Sequence, residues 1–195
     1  MGSTGIDKRP VADRVRAEGV GLVGDVIVDR ANHGGYDQAV YAYAIQDAAW
    51  WAVELDREVP PGAFGENLST SGVEVTGAVI GERWQVGSAL LEVSRPRIPC
   101  RTFAGFWDVP QLIKLFTRRG VPGAYLRIID EGDVGAGDEI HVVHRPEHGV
   151  TIGEVFRALT GDRALVPRLL DAPELPVALR EKARRLVDGA AVADR

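Results

Sequence analysis

Short apolar runs recur between glycines from about Leu22 to Val143: Gly21–Val28, Val73–Val75, Ala89–Val93, Ala124–Ile129 and Glu139–Val143. They are too short for independent helices and rich in β-branched residues, so each reads as a strand. Turn signals at Glu131-Gly132-Asp133 and Gly135–Asp138 separate the last of them. Short strands at this spacing predict a closed or nearly closed barrel rather than a parallel α/β sheet.

Two stretches carry a helical period instead. Gln38–Leu55 places Tyr41, Ile45, Ala48, Ala49, Trp51, Ala52 and Leu55 at three- and four-residue steps, and Val109–Arg118 is opened by Pro110 and stopped by Gly120. Trp50 and Trp51 read as packing residues. Beyond Gly149 the pattern changes to three helical segments, Thr151–Leu159, Ala164–Leu170 and Pro176–Val187. The chain therefore divides into a β-rich domain over residues 1–147 and a three-helix module over 148–195. The module is too small to hold a core alone, so it is expected to pack on the barrel or on a second copy of the chain, which leaves a homodimer open.

Composition narrows the function. With 195 residues, 45% hydrophobic and 26% charged, the chain is an ordinary globular one, and a net charge of −5 argues against general affinity for nucleic acid or an anionic membrane. No segment approaches the ~20 apolar residues of a membrane span, and the charged N-terminus does not resemble a signal peptide, so a cytoplasmic protein is expected. One cysteine excludes an internal disulfide and a cysteine-only zinc site, and His33, His141, His144 and His148 lack zinc-protein spacings. His141, His144 and His148 read as surface or strand-end residues.

That cysteine, Cys100, closes the segment Arg95-Pro96-Arg97-Ile98-Pro99-Cys100-Arg101. A free cysteine is most often a small buried hydrophobe. Here three guanidinium groups resist burial beside a neutral sulfur, and two prolines remove backbone donors, so the segment reads as the irregular exit from a strand. Nearby positive charge favours the thiolate, the form that attacks electrophiles and binds soft metals.

Four blocks together resemble the MOSC family, the domain found at the C-terminus of molybdenum cofactor sulfurases, in its stand-alone bacterial branch with a C-terminal three-helix extension. They are Gly24–Tyr43, Gly62–Thr70, Ile80–Trp84 with Pro96–Cys100, and Gly123–Arg127 with Gly137-Asp138. Their order and spacing agree over roughly Thr4–Arg145. Relatives usually carry an extra strand before the segment that begins at Thr4, and this chain starts close to it.

The resemblance implies a mainly β fold with helices, a MOSC-type β-barrel plus the small C-terminal helical module. It implies a molybdenum cofactor (molybdopterin), no pyridoxal phosphate, and Cys100 as a metal ligand. A thiolate suits a metal already held by dithiolene sulfurs. Relatives reduce N-hydroxylated compounds such as hydroxylaminopurines and amidoximes, and others carry or transfer sulfur. A persulfide sulfurtransferase and a non-catalytic cofactor carrier are therefore the alternatives to a reductase.

Lys8, Arg95, Arg97, Arg101 and Arg127 would grip the cofactor phosphate or substrate oxygens, since guanidinium forks match oxyanions. Gly65, Glu66, Asn67, Ser69 and Thr70 would form a loop against the pterin edge, or Glu66 and Asn67 would cap a turn. His33, followed by Asp37, would deliver protons or merely order its loop. On a helix, Tyr41 and Tyr43 would face different ways, so only one would line the site. No flavin, iron–sulfur or nicotinamide motif is present, so a separate electron-donating reductase is expected beside a small N-hydroxylated substrate.

Overall fold

The structure, a computed structural model, describes residues 5–25 and 34–193 of the chain. The strands are β1 (Val15–Glu18), β2 (Gly21–Leu22), β3 (Val40–Ala44), β4 (Leu68–Thr70), β5 (Arg83–Val86), β6 (Ala89–Pro96), β7 (Ala124–Asp130), β8 (Gly132–Val134) and β9 (Ile140–His144). The helices are α1 (Ile45–Leu55), α2 (Arg101–Trp107), α3 (Leu112–Arg119), α4 (Ile152–Thr160) and α5 (Val177–Ala193), with 3-10 segments at Tyr36–Gln38 and Arg163–Asp171.

Six strands form a mixed sheet in the order β4-β3-β7-β6-β5-β9, and β2-β1-β8 form a second, three-stranded one. Among the described residues only the β3–β4 pair is parallel. A parallel pair needs a crossover, and α1 with the loop after it supplies that connection. The result is a curled half-barrel with helices, which carries the β-rich expectation.

Several sequence expectations shift. The helix read over Gln38–Leu55 begins only at Ile45, because Val40–Ala44 is a fully buried strand. Tyrosine alternating with valine and alanine suits a pleated surface with both faces covered, and this outweighs the helical spacing of the apolar residues. Val73–Val75 is not a strand: Gly72, at φ 73°, turns the chain out of the extended region just before it. The reading over Gly21–Val28 reduces to β2 at its start, and residues 26–28 lie outside the described residues. The stretch from Val109 becomes α3, preceded by α2, which the sequence reading missed; Gly120 ends α3 at φ 72° as its C-cap.

Strand alternation divides the sheet side chains between two cores. Val40, Ala42, Leu91, Val93, Leu126 and Ile128 join tail residues Val150, Ile152, Val155, Val166, Leu169, Leu175 and Leu179 in an aliphatic core. Tyr41 and Tyr43 turn to the other side, into an aromatic cluster with Trp51, Phe64, Phe103, Trp107, Phe116 and Phe156. Each fully buried aromatic contributes roughly 2–3 kcal/mol by area. The tail thus packs on the sheet of its own chain. α4 is fixed at its start by a capping box in which Thr151 Oγ1 accepts from the Glu154 N–H and Glu154 accepts from the Thr151 N–H.

Candidate functional site

Period-two geometry sets the site. Tyr41 and Tyr43 on β3 share a face with Tyr125 on β7, whose cross-strand partner is Tyr41, with ring centroids 5.1 Å apart. The two β3 tyrosines therefore face the same way, contrary to the helical reading. On β6 a bulge re-aims the chain. Val93 pairs with Leu126 but Arg95 pairs with Tyr125, leaving Ser94 as the extra residue. Without the bulge Arg95 would follow Val93 into the aliphatic core; with it, Arg95 faces Tyr125. Ser94 Oγ holds the joint, bonding the Tyr125 carbonyl at 2.9 Å and the Asp37 carbonyl at 2.6 Å.

Past Pro96 the chain leaves the sheet. Cys100 caps α2 in an extended conformation and lies half-buried on the margin of the aromatic cluster. Arg97 is 6% exposed. Its guanidinium lies 4.2 Å from the Phe103 ring centroid and 5.1 Å from that of Tyr41, and Nη1 donates to the Phe64 carbonyl. Among the described residues it has no carboxylate partner. Burial opposes its charge, but the fields of Tyr41, Tyr125 and Cys100 outweigh that and hold its pKa above the ordinary value. The Arg97 charge is thus fixed beside Cys100 by rings and a carbonyl, the surroundings in which a cation suits an incoming anion.

Arg95 is half-buried, its Nε is enclosed, and it makes no hydrogen bond among the described residues. Desolvation lowers its pKa, against the fields of Tyr125 and Asp37. The three tyrosines differ in one respect. Tyr41 Oη donates to the Pro122 carbonyl at 2.8 Å, and Tyr43 Oη accepts from Trp51 Nε1 at 2.9 Å. Tyr125 Oη has no hydrogen-bond partner among the described residues. Burial raises its pKa, while Arg97 and Arg95 pull it down and Cys100 pushes it up, so all three lie within electrostatic reach of Tyr125.

A family profile for the MOSC domain matches residues 29–141, the span that holds Tyr41, Arg95, Arg97, Cys100 and Tyr125. YflK of Bacillus subtilis is 34% identical over 149 residues, which cover 76% of this chain and 67% of YflK. The chain belongs to the MOSC domain family. A Gibberella moniliformis protein named "Reductase" is 30% identical over 161 residues, covering 80% of this chain; the match spans only 28% of the fungal protein's length. Among solved structures, YiiM from Geobacillus stearothermophilus matches with a TM-score of 0.81 at 28% identity, over 93% of this chain and 88% of that one.

In this MOSC domain the other sequence candidates fall into distinct places. Glu66 is buried and fully engaged: Oε1 accepts from the Gly62 N–H and from Ser69 Oγ, and Oε2 from the Phe64 N–H. It builds the loop that presents the Phe64 carbonyl to Arg97. Asn67 accepts from the Tyr41 N–H and donates to Asp25, which also takes Lys8 Nζ at 2.5 Å. Gly62 must be glycine: a Cβ would sit 2.3 Å from the Lys8 carbonyl, and φ is 89°. Gly65 backs onto Ile6.

Lys8, Glu66, Asn67, Ser69 and Thr70 line a cavity of about 790 Å³ bounded by the edge strands β4 and β9. Thr70 Oγ1 is buried there without a hydrogen-bond partner.

Arg127 is a strut. Nε donates to Asp37 at 2.7 Å, Nη1 to Glu92 and Nη2 to the Glu174 carbonyl, both at 2.8 Å. It ties β7 to β6, to the turn at Asp37 and to the tail, so each of its nitrogens is engaged within the protein. Arg101 opens α2 as an exposed side chain. His33 lies outside the described residues. His141 and His144 are exposed, but His148 is not a simple surface residue: Nδ1 accepts from the Val150 N–H and Nε2 faces Glu174 at 3.2 Å. Tyr125, Phe64 and Phe103 were missed by sequence reading, since their part rests on cross-strand register and ring packing.

Proposed function

We propose that this MOSC protein is a molybdenum-cofactor-dependent reductase of N-hydroxylated compounds of the hydroxylaminopurine or amidoxime type. The observation that carries the reading is the meeting of Cys100 with buried Arg97, which has no carboxylate partner among the described residues. A molybdopterin is anionic and holds its metal through two sulfurs; a thiolate and free guanidinium donors suit such a group. No cluster of three His, Cys, Asp or Glu side chains fit for a metal occurs among the described residues, so a metal at Cys100 would bring most of its ligands with it.

When bound, the cofactor would supply a two-electron redox centre. Cys100 would be its protein ligand. Arg97 would hold anionic oxygen near the sulfur; the cavity that Lys8, Asn67, Ser69 and Thr70 line is bounded by none of Cys100, Arg95 and Arg97. The Phe64–Phe103 wall would limit access of water to that side of the cluster. Electrons would come from a separate reductase protein. No helix among the described residues is long and apolar enough to cross a membrane.

Elemental analysis of protein made in cells that synthesise the cofactor tests this. Near-stoichiometric molybdenum is expected, with N–O reduction by an artificial electron donor. Cys100→Ala should stay folded and lose the metal. An Ala variant with full metal and activity would refute the ligand role, and a labile sulfur adduct on Cys100 in metal-free protein would favour sulfur transfer.

A further inference from the structure

We propose that Tyr125, backed by Arg95, is the group that protonates the departing oxygen of the substrate. This deepens the reductase reading and rests on it.

Cleaving an N–OH bond reductively consumes two electrons and two protons: R–NH–OH + 2e⁻ + 2H⁺ gives R–NH₂ + H₂O. The electrons come from the external reductase. The N–O bond breaks, the oxygen leaves as water and the nitrogen gains a hydrogen. An unprotonated hydroxide is a poor leaving group, so an acid within hydrogen-bond reach of the oxygen accelerates the step. Asp37 is held in an ion pair by Arg127. Tyr41 Oη–H is committed to a hydrogen bond with the Pro122 carbonyl, and the Tyr43 hydroxyl accepts from Trp51 Nε1.

Tyr125 alone of these tyrosines keeps a free hydroxyl among the described residues, on the face that carries Arg95 and within electrostatic reach of Cys100. Its backbone is fixed from both sides, by pairing with Tyr41 and by Ser94 Oγ on its carbonyl. Arg95 stands across the strand, its Nε buried without a hydrogen-bond partner and its charge in the fields of Tyr125 and Asp37, placed to stabilise the phenolate as the proton leaves. The phenol gives its proton to the oxygen, solvent supplies the second proton to nitrogen, and solvent restores the phenol. Burial keeps Tyr125 protonated at neutral pH, so the acid is loaded before each turnover.

The experiment compares wild type, Tyr125→Phe, Arg95→Gln and Arg95→Lys, with reduced viologen as electron source and an aromatic amidoxime as substrate. Tyr125→Phe should lower kcat about 10²-fold, with KM and molybdenum content unchanged. A separate readout uses cofactor-free protein. Subtracting the ultraviolet phenolate titration of Tyr125→Phe from that of wild type isolates the Tyr125 signal. Arg95→Gln, compared with its own double variant, should move that titration to higher pH, and Arg95→Lys should restore it. Wild-type kcat in a folded Tyr125→Phe, or a Tyr125 titration indifferent to Arg95, overturns the assignment. If loaded wild type reduces no N-hydroxylated substrate, the reductase reading fails and the assignment falls with it; if wild type is active and Tyr125→Phe equally so, only the Tyr125 role falls.

Discussion

At the scale of residues, the chemistry of this protein depends on which polar groups are already engaged. Glu66 and Arg127 look in sequence like free ligands for a cofactor, yet their polar atoms are engaged in building loops and joining strands. Arg95 Nε, across the strand from Tyr125, is left without a hydrogen-bond partner. Sequence pointed to Cys100 and Arg97 because charge, proline and sulfur are adjacent in the chain. It could not point to Tyr125, which reaches them only through strand pairing. The buried phenols also set an alkaline limit. Burial raises the pKa of Tyr41, Tyr43 and Tyr125 above the ordinary 10.0. The folded chain then holds these protons more tightly than the unfolded one. Their contribution to stability is full below about pH 10 and declines as pH rises above it. Urea denaturation at pH 8 and pH 11 should show a clear fall in midpoint, with a smaller fall for Tyr43→Phe.

At the scale of elements, the strands around the site were legible where apolar runs were short and bounded by glycine, as in β6, β7 and β9. β3 was not, because its apolar residues continue in phase with the first turns of α1 and mimic one long helix. The bulge in β6 was also hidden, since nothing in Val93-Ser94-Arg95 marks an unpaired residue. The Arg127 strut joins β7, β6, the Asp37 turn and the tail, and both Arg127 and Glu92 are nearly inaccessible. Removing the guanidinium leaves Glu92 with Arg83 alone. Arg127→Ala is therefore expected to cost about 3 kcal/mol, read as a lowered Tm, whereas Arg101→Ala at an exposed site should change stability by no more than about 0.5 kcal/mol and leave Tm in place.

At the scale of the whole molecule, the sequence divided the chain into barrel and tail, and the structure packs them around a common interior. That reading of two parts rested on the change of sequence pattern near Gly149. The shared interior escaped sequence reading because burial between distant segments leaves no local trace. Ile152 and Val155 of α4 enter the aliphatic core, while Phe156 of the same helix meets Phe116 with ring centroids 6.4 Å apart. Phe116 lies 5.3 Å from Phe103, the ring beneath Arg97. One helix is thus keyed into both interiors, and no natural plane of cleavage separates the tail from the wall of the site. Scanning calorimetry should give a single endotherm whose calorimetric and van't Hoff enthalpies agree. A molecule joined in this way has no half-melted form in which the tail swings free while the sulfur stays in place; heat dismantles both together.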